Sequence, residues 1–501
     1  MAASQLCIAE VDAQSDPSLF ANVINVPADI APDSVGAGTQ LNLFSNGQLP
    51  RGFVLDGAPM PAGSAAAGEV NIFGGQVRSD FTSNSGVLNI RGGTFSSPIV
   101  LFDGTVATIY GNDFRLNGAP IAGLTNPGDA VPFDLVDLPA LGPTANSLTG
   151  ILADGTPFAV TSADADDISP GVLTLRAVDL PEVVPGVINA STDQVPAGIR
   201  GGQVLNVDAG ATVNIDLNVG PGGVVNLEAG GALATFEVFG GVVNVRNDIL
   251  GTTGFAFPDA FAGSTINLYE GEIRGLDLLA GATLNYFGGS TIFLDAFQGS
   301  TINVRDGVFS AGNDELQSGI DFRVTGGVVE DLPFFRISSS SFDPESFVPS
   351  SIFIGGGTVN DTVGVGGRGF LVFRPDLDPS GFVRVPAAAQ LLTITGGTIN
   401  GNVSVSVEAT AEIVGLRFVL DGVDITDTLS ASQSFLLQQR GGTLSGILSD
   451  GSPFSFDLNP VSGSGDFFSP DAQLFLTLAV PEPATAWAVV LCLLPFARRR
   501  C

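Results

Sequence analysis

The chain has 501 residues, a formal net charge of −32 and 44% hydrophobic residues, so it carries enough apolar material to form a core. It has no histidine, and all 19 basic residues are arginines, which excludes histidine-based nucleophilic triads, imidazole general bases and lysine Schiff bases. The negative charge repels phosphates, so we expect no nucleic-acid partner.

The N-terminal segment, residues 1–21, is expected to be the remnant of a leader or a disordered extension. Its first residues, MAASQLCIAEVDAQ, contain neither a basic n-region nor a full apolar h-region. The three cysteines, Cys7, Cys492 and Cys501, lie at the two ends of the chain, so the body has no disulfide framework.

The body is predicted to be all-β, because glycine and β-branched residues are abundant and turn signals recur. Apolar-Asn-apolar triplets return at a spacing of 18 residues, as from Asn267 to Asn285 and from Asn285 to Asn303. Glycine pairs beside these triplets supply the positive φ angles that tight corners need. One such coil cannot bury its own apolar face, so stacked coils are predicted: a parallel β-helix or β-solenoid, with a right-handed winding favoured.

The repeated asparagines have two interpretations. If Ile266 and Leu268 point inward, pleat alternation turns Asn267 outward, and stacked asparagines then form an amide hydrogen-bond ladder. The alternative is a ligand-facing ladder that binds glycan hydroxyls through Asn267, Asn285 and Asn303.

The body is also duplicated. The segment that starts at Val23 aligns without gaps with the one that starts at Val187 and preserves Asn25/Asn189 and Asp29/Asp193. The closing segments LTGILADGTPFAV and LSGILSDGSPFSF match as well, and their DGTP and DGSP turns predict hairpins that cap the solenoid. We therefore predict two related modules with β caps, residues 22–185 and 186–479.

Chemistry on this scaffold would depend on carboxylates. Glycoside hydrolysis needs two of them at a defined separation, and the sequence offers several candidates without singling any out: Glu270, Glu272, Asp295 and Asp306. The acidic runs at 163–167 and 312–315 make calcium a conceivable ligand, although no EF-hand or nonapeptide calcium repeat is present. We expect a non-enzymatic protein with no catalytic residue, no metal ligand and no cofactor.

The C-terminal tail, residues 480–501, has three parts. Pro481, Glu482 and Pro483 keep the chain extended, an apolar run follows at 484–497, and Arg498, Arg499 and Arg500 end it. As a helix the run rises about 21 Å, against about 30 Å for a hydrocarbon core, so the tail predicts a short transmembrane helix with its arginines on the cytoplasmic side.

This tail resembles the PEP-CTERM sorting signal of Gram-negative bacteria. The resemblance implies recognition of Pro481, Glu482 and Pro483 by an exosortase-type enzyme, with Arg498 to Arg500 as the membrane-topology anchor. It also implies transient anchoring in the inner membrane, cleavage, and delivery to the cell surface or the extracellular matrix, beside exopolysaccharide. We therefore expect an exported structural or interaction protein; the alternatives are a polysaccharide-active β-helix enzyme, hydrolase or lyase, and a glycan-binding adhesin.

Overall fold

The structure is a computed structural model of the chain. It describes residues 16–57, 67–78, 81–95, 100–101, 104–133, 147–161, 172–247, 258–310, 315–316, 319–331, 350–360, 362–365, 371–373, 382–384, 391–406, 409–431, 433–461 and 465–479. These residues form strands and turns, with short 3-10 turns at Pro17–Leu19 and Thr426–Thr428. The predicted all-β class with parallel sheets is confirmed.

The described residues divide into two compact units. The first comprises the described parts of 1–303 and 311–320, and the second those of 304–310, 321–332 and 350–479. This division is not the predicted module boundary at 185/186, although one group of paired strands ends at Ala177 and the next begins at Gly186. The module boundaries stay a prediction.

The first strands of the first unit pair mostly in parallel. β1, β3, β6, β7 and β9 follow one another in one sheet, and β2, β5, β7 and β8 form a second parallel row. The strands are β1 Asn22–Val26, β2 Ser34–Gly36, β3 Thr39–Leu43, β4 Gln48–Leu49, β5 Val54–Asp56, β6 Glu69–Val77, β7 Thr82–Phe95, β8 Val100–Leu101, β9 Thr105–Leu116, β10 Ala119–Pro120, β11 Ala130–Phe133, β12 Ser147–Leu152, β13 Pro157–Thr161 and β14 Val172–Ala177.

From Gly186 the chain alternates between two parallel sheets, as a solenoid requires. Odd-numbered strands from β15 to β27 stack in one sheet, and β16, β18, β20, β22, β24, β26 and β29 stack in the other. The strands are β15 Gly186–Asn189, β16 Gly198–Ile199, β17 Gln203–Val207, β18 Thr212–Val219, β19 Val224–Leu227, β20 Ala232–Val238, β21 Val242–Val245, β22 Asp259–Ala260, β23 Thr265–Leu268, β24 Glu272–Leu278, β25 Thr283–Tyr286, β26 Ser290–Ala296, β27 Thr301–Val304 and β29 Glu315–Leu316.

In the second unit the parallel stack runs through β30, β32, β36 and β38, and a second one through β33, β37 and β43. Its strands are β28 Val308–Ser310, β30 Asp321–Val324, β31 Val328–Asp331, β32 Ser351–Val359, β33 Val363–Val365, β34 Leu371–Phe373, β35 Phe382–Arg384, β36 Leu391–Ile399, β37 Val403–Val405, β38 Thr410–Leu420, β39 Val423–Asp424, β40 Ser434–Leu436, β41 Thr443–Leu448, β42 Pro453–Asp457, β43 Phe467–Phe468 and β44 Gln473–Leu478.

The strands stack because inward residues are apolar and alternate with polar ones. In β23 and β25, Ile266, Leu268 and Leu284 are fully buried, while Asn267 and Asn285 between them are half-buried. At the corners, glycines such as Gly281 adopt φ +79°, a conformation that side chains with a Cβ rarely take.

The two opening segments end their sheets in the same way. The Asn25 N–H donates to Asp29 Oδ2 at 2.7 Å, and the Asn189 N–H donates to Asp193 Oδ2 at 2.8 Å. In each copy the aspartate N–H also donates a hydrogen bond to the asparagine carbonyl. These loops use up backbone groups on the free edge of the first strand, which protects it from pairing with another chain.

The two closing segments form hairpins, as predicted. β12 pairs antiparallel with β13, and β41 with β42. Asp154 Oδ2 accepts the Gly93 N–H at 2.9 Å, and Asp450 Oδ2 accepts the Gly397 N–H at 2.7 Å. Each hairpin is therefore fastened by the aspartate of its turn to a glycine pair in a strand of a parallel sheet.

Candidate functional site: asparagine ladders and a row of acids

Asparagine side chains form a first ladder across β1, β3, β6 and β7. Asn42, Asn71 and Asn89 each donate Nδ2 to the Oδ1 of the previous asparagine at 2.9 Å, starting from Asn25. Asn42, Asn71 and Asn89 are 1–4% exposed. Because buried amides need partners, the ladder satisfies each side chain with the next.

A second, longer ladder runs from β15 to β27. Its amide contacts measure 2.8 to 3.2 Å and join seven side chains: Asn189, Asn206, Asn226, Asn244, Asn267, Asn285 and Asn303. The predicted ladder is thus confirmed. Asn267 and Asn285 each donate to one neighbour and accept from another, which favours the structural role; a ligand-facing role for Asn267, Asn285 and Asn303 stays a prediction.

Two residues beyond the asparagines, aromatic rings and arginines stack on one another. Phe44 lies 5.3 Å from Phe73, and Tyr269 lies 4.8 Å from Phe287, with ring planes within 11° of parallel. Arg246 covers the outer face of this second pair, 4.4 Å from the Tyr269 ring. Each ring therefore has one face covered by its partner, and the Tyr269 ring is also covered by Arg246, which reduces the ring face available to a sugar.

The other sheet of this region carries a row of acids. Glu237 of β20, Asp259 of β22, Asp277 of β24 and Asp295 of β26 are register partners from one strand to the next. Each is half-buried. Parallel strands lie about 4.8 Å apart, so four carboxyls stand above one another at that spacing. We call this set the acid row.

An asparagine ends the acid row. Asn218 of β18 is the register partner of Glu237 and is 2% exposed. Its Nδ2 donates to the Pro157 carbonyl at 2.8 Å, whereas its Oδ1 is buried and accepts no hydrogen bond from the part of the chain that the structure describes. An orphaned buried acceptor is costly and calls for an explanation.

An apolar row runs beside the acid row, two residues further along each strand. Phe239, Phe261 and Leu279 are 2–4% exposed, and Phe297 and Ala159 pack against them. The Phe239 and Phe261 rings stack at 4.9 Å. This apolar wall lowers the local polarity on one side of the carboxyls, which disfavours their charged forms.

Two acids of the row, Asp259 and Asp277, have raised pKa values because of this setting. Desolvation, first, and the charges of Asp277 and Glu237 raise the pKa of Asp259 well above its ordinary value. Desolvation, followed by the charge of Asp295, raises the pKa of Asp277 to about 7. Acids this close titrate as a coupled set, in which ionisation of one opposes ionisation of the next.

The acid row can therefore supply a neutral carboxylic acid beside a carboxylate. A spacing of about 4.8 Å is close to the roughly 5 Å that separates the two carboxyls of retaining glycosidases. The described residues hold no group of three or more acidic or cysteine side chains placed to bind a metal ion.

A small cavity of about 200 Å³ lies in the same unit, next to Phe239 at one end of the apolar wall. It is lined from the other side by Asp113, Arg115 and the β12 residues Thr149 and Ile151. Asp113 and Arg115 form an ion pair at 2.8 Å, so the charged groups at this cavity already satisfy each other.

Of the four candidate acids named from the sequence, the structure brings only Asp295 into the row. Glu272 pairs with Arg274 on the same strand, and Glu270 and Asp306 are exposed outside it. Sequence reasoning missed Glu237, Asp259 and Asp277. Their signal was present: every acid of the row is followed by Phe or Leu two residues later and by Gly four residues later.

The tail residues 480–501 lie outside the described residues, as do 163–167 and 312–314 of the proposed calcium runs. Among the residues that the structure describes, no helix is long and apolar enough to cross a membrane. No family model, curated protein or solved structure matches this chain.

Proposed function

We propose that this protein is an exported, non-enzymatic structural protein of the cell surface or extracellular matrix. The observation that carries the proposal is the pair of asparagine ladders, in which side-chain amides satisfy one another along the stacked strands. Repeated amides that hydrogen-bond to one another are more typical of a stiff scaffold than of a reaction centre. We also propose that its coils form a right-handed β-solenoid and that it needs no cofactor, calcium being the ion to examine first.

The sorting part of the proposal rests on the tail. Pro481, Glu482 and Pro483 would be recognised by an exosortase-type enzyme while the run at 484–497 and the terminal arginines hold the chain in the inner membrane. After cleavage the body would reach the surface or the matrix, where exopolysaccharide and other matrix components are the expected partners and nucleic acid is not.

The test is the intact mass and location of the protein in its native host, with and without replacement of Pro481, Glu482 and Pro483 by alanine. We expect the wild-type protein outside the cell without its arginine tail, and the triple variant uncut in the membrane fraction. An unprocessed wild-type protein in the cytoplasm would overturn the sorting proposal.

A second candidate function is carboxylate-based hydrolysis of a polysaccharide, favoured by the raised pKa of Asp277 beside its register partners. Asp277 would be the proton donor, and its register partner Asp295 the nucleophile. Reducing ends released from host exopolysaccharide by the wild-type protein, and lost in Asp277→Asn, would support this candidate. Equal release by both proteins would reject it.

A further inference from the structure

We propose that the acid row is a proton-sharing column, in which neighbouring carboxyls are held together by retained protons at neutral pH and the Glu237 carboxyl donates a hydrogen bond to Asn218 Oδ1. The ligand of this site is the proton. The column would make the first unit more stable in mildly acidic surroundings than in alkaline ones.

Register pairing places Glu237, Asp259, Asp277 and Asp295 on one line, and Glu315 of β29 follows Asp295 in the same register. Four ionised carboxylates at a spacing of about 4.8 Å repel one another strongly, especially beside an apolar wall. A proton retained between two neighbours removes this repulsion and supplies a hydrogen-bond donor.

The buried Asn218 Oδ1 lacks a hydrogen-bond donor among the described residues. Asn218 Nδ2 is committed to the Pro157 carbonyl, and Pro157 lies against Gly198, on the strand that precedes Asn218 in the sheet. The planar amide therefore turns its Oδ1 to the opposite side, where Glu237 is the register partner. An ionised Glu237 offers only acceptors, whereas a protonated one offers the O–H donor that Oδ1 lacks.

Three arginines of this unit each have a carboxylate neighbour outside the column. On β24, Arg274 pairs with Glu272. On the side of β12 and β13, Arg115 pairs with Asp113, and Arg200 lies beside Asp154. Among the residues that the structure describes, Asn218 ends the row with its amide bonded to the Pro157 carbonyl, and Ala159 packs against the apolar wall.

The sign of the pH effect follows from the raised pKa of Asp277, about 7. An unfolded aspartate loses its proton near pH 4, so between about pH 4 and 7 the folded chain holds a proton that the unfolded chain has released. Stability is greatest below this window and falls as the pH rises through it. The absence of histidine from the sequence leaves the window free of imidazole titration.

The first experiment compares the apparent Tm of the wild-type chain, Asp277→Asn and the control Glu270→Gln between pH 4.5 and 8.5. Asn mimics the neutral acid, so the wild type should lose roughly 4 °C more than Asp277→Asn over this range, while Glu270→Gln follows the wild type. Parallel curves for the wild type and Asp277→Asn would overturn the proposal.

A second measurement does not depend on the folding of a variant. Calorimetric unfolding of the wild-type chain at pH 6, in buffers of different ionisation enthalpy, gives the number of protons exchanged. We expect release of about one proton or more, because the column empties on unfolding. Zero exchange or net uptake of protons at pH 6 would overturn the proposal, whatever the protein does in the cell.

Discussion

Replacement of Asn267 by alanine tests whether the second ladder stabilises the fold. The substitution removes two hydrogen bonds, from Asn267 Nδ2 to Asn244 Oδ1 and from Asn285 Nδ2 to Asn267 Oδ1, both 2.8 Å long. It also leaves two half-buried amide groups without their ladder partner. At about 0.5–1.5 kcal/mol for each bond, we expect a loss of about 1–3 kcal/mol.

The cost of replacing Asn189, at the end of the ladder, can be compared with the cost of replacing Asn267. Asn189 is the terminal member and accepts one ladder bond, from Asn206 at 3.2 Å. Asn189→Ala should therefore cost about half as much as Asn267→Ala. Thr265→Val, on the same strand and face as Asn267, keeps the β-branched shape and serves as the control for substitution at this surface.

The assay is urea unfolding combined with native-state hydrogen exchange of the β23 and β25 amides. Hydrogen exchange is needed because stacked repeats can open locally before the whole chain unfolds. The reasoning is refuted if Asn267→Ala and Asn189→Ala cost the same, or if Asn267→Ala changes neither the unfolding free energy nor exchange in these strands.

Two further predictions concern the corners and the free edges. Gly397→Ala should lower stability by about 2 kcal/mol or more, because Gly397 has φ +84° and a Cβ there would lie 2.7 Å from the Gly356 carbonyl oxygen. The control is Gly364→Ala, which should be nearly neutral because its Cβ would meet nothing within 4 Å. Equal Tm values for the two variants would contradict this account. Asp193→Ala removes the acceptor of the Asn189 N–H and should produce concentration-dependent self-association in light scattering. Asp193→Asn keeps an acceptor oxygen and should stay monodisperse. A monodisperse Asp193→Ala would show that this loop does not prevent pairing at the strand edge.

The asparagine ladders were open to prediction because their signal is local and periodic. Asn267, Asn285 and Asn303 recur every 18 residues between apolar neighbours, and pleat alternation alone turns them to one face. The match of Asp29 with Asp193 was equally visible in the sequence. Its purpose became clear only when both carboxylates were seen to accept backbone N–H groups at a strand edge.

The acid row was not predicted, although the sequence contains a recurring pattern at its residues. Strand β22 is two residues long, and the spacing from Glu237 to Asp259 differs from that between Asp259 and Asp277, so the period is blurred. The chain has 51 acidic residues, and the sequence alone does not distinguish a carboxyl that lies in register with others from one on a solvated loop. Only the register of the paired strands distinguishes Asp277 from Glu270.

The sequence by itself determined the all-β class, the parallel stacking of short strands and the recurrence of asparagine, because these follow from local alternation and a repeated length. The tertiary structure alone decided which polar side chains share a line, which of their atoms are left without a partner, and how far burial shifts their titration. Those properties depend on strand register and on how far one strand desolvates the side chains of another. Neither can be read from the sequence of a single strand.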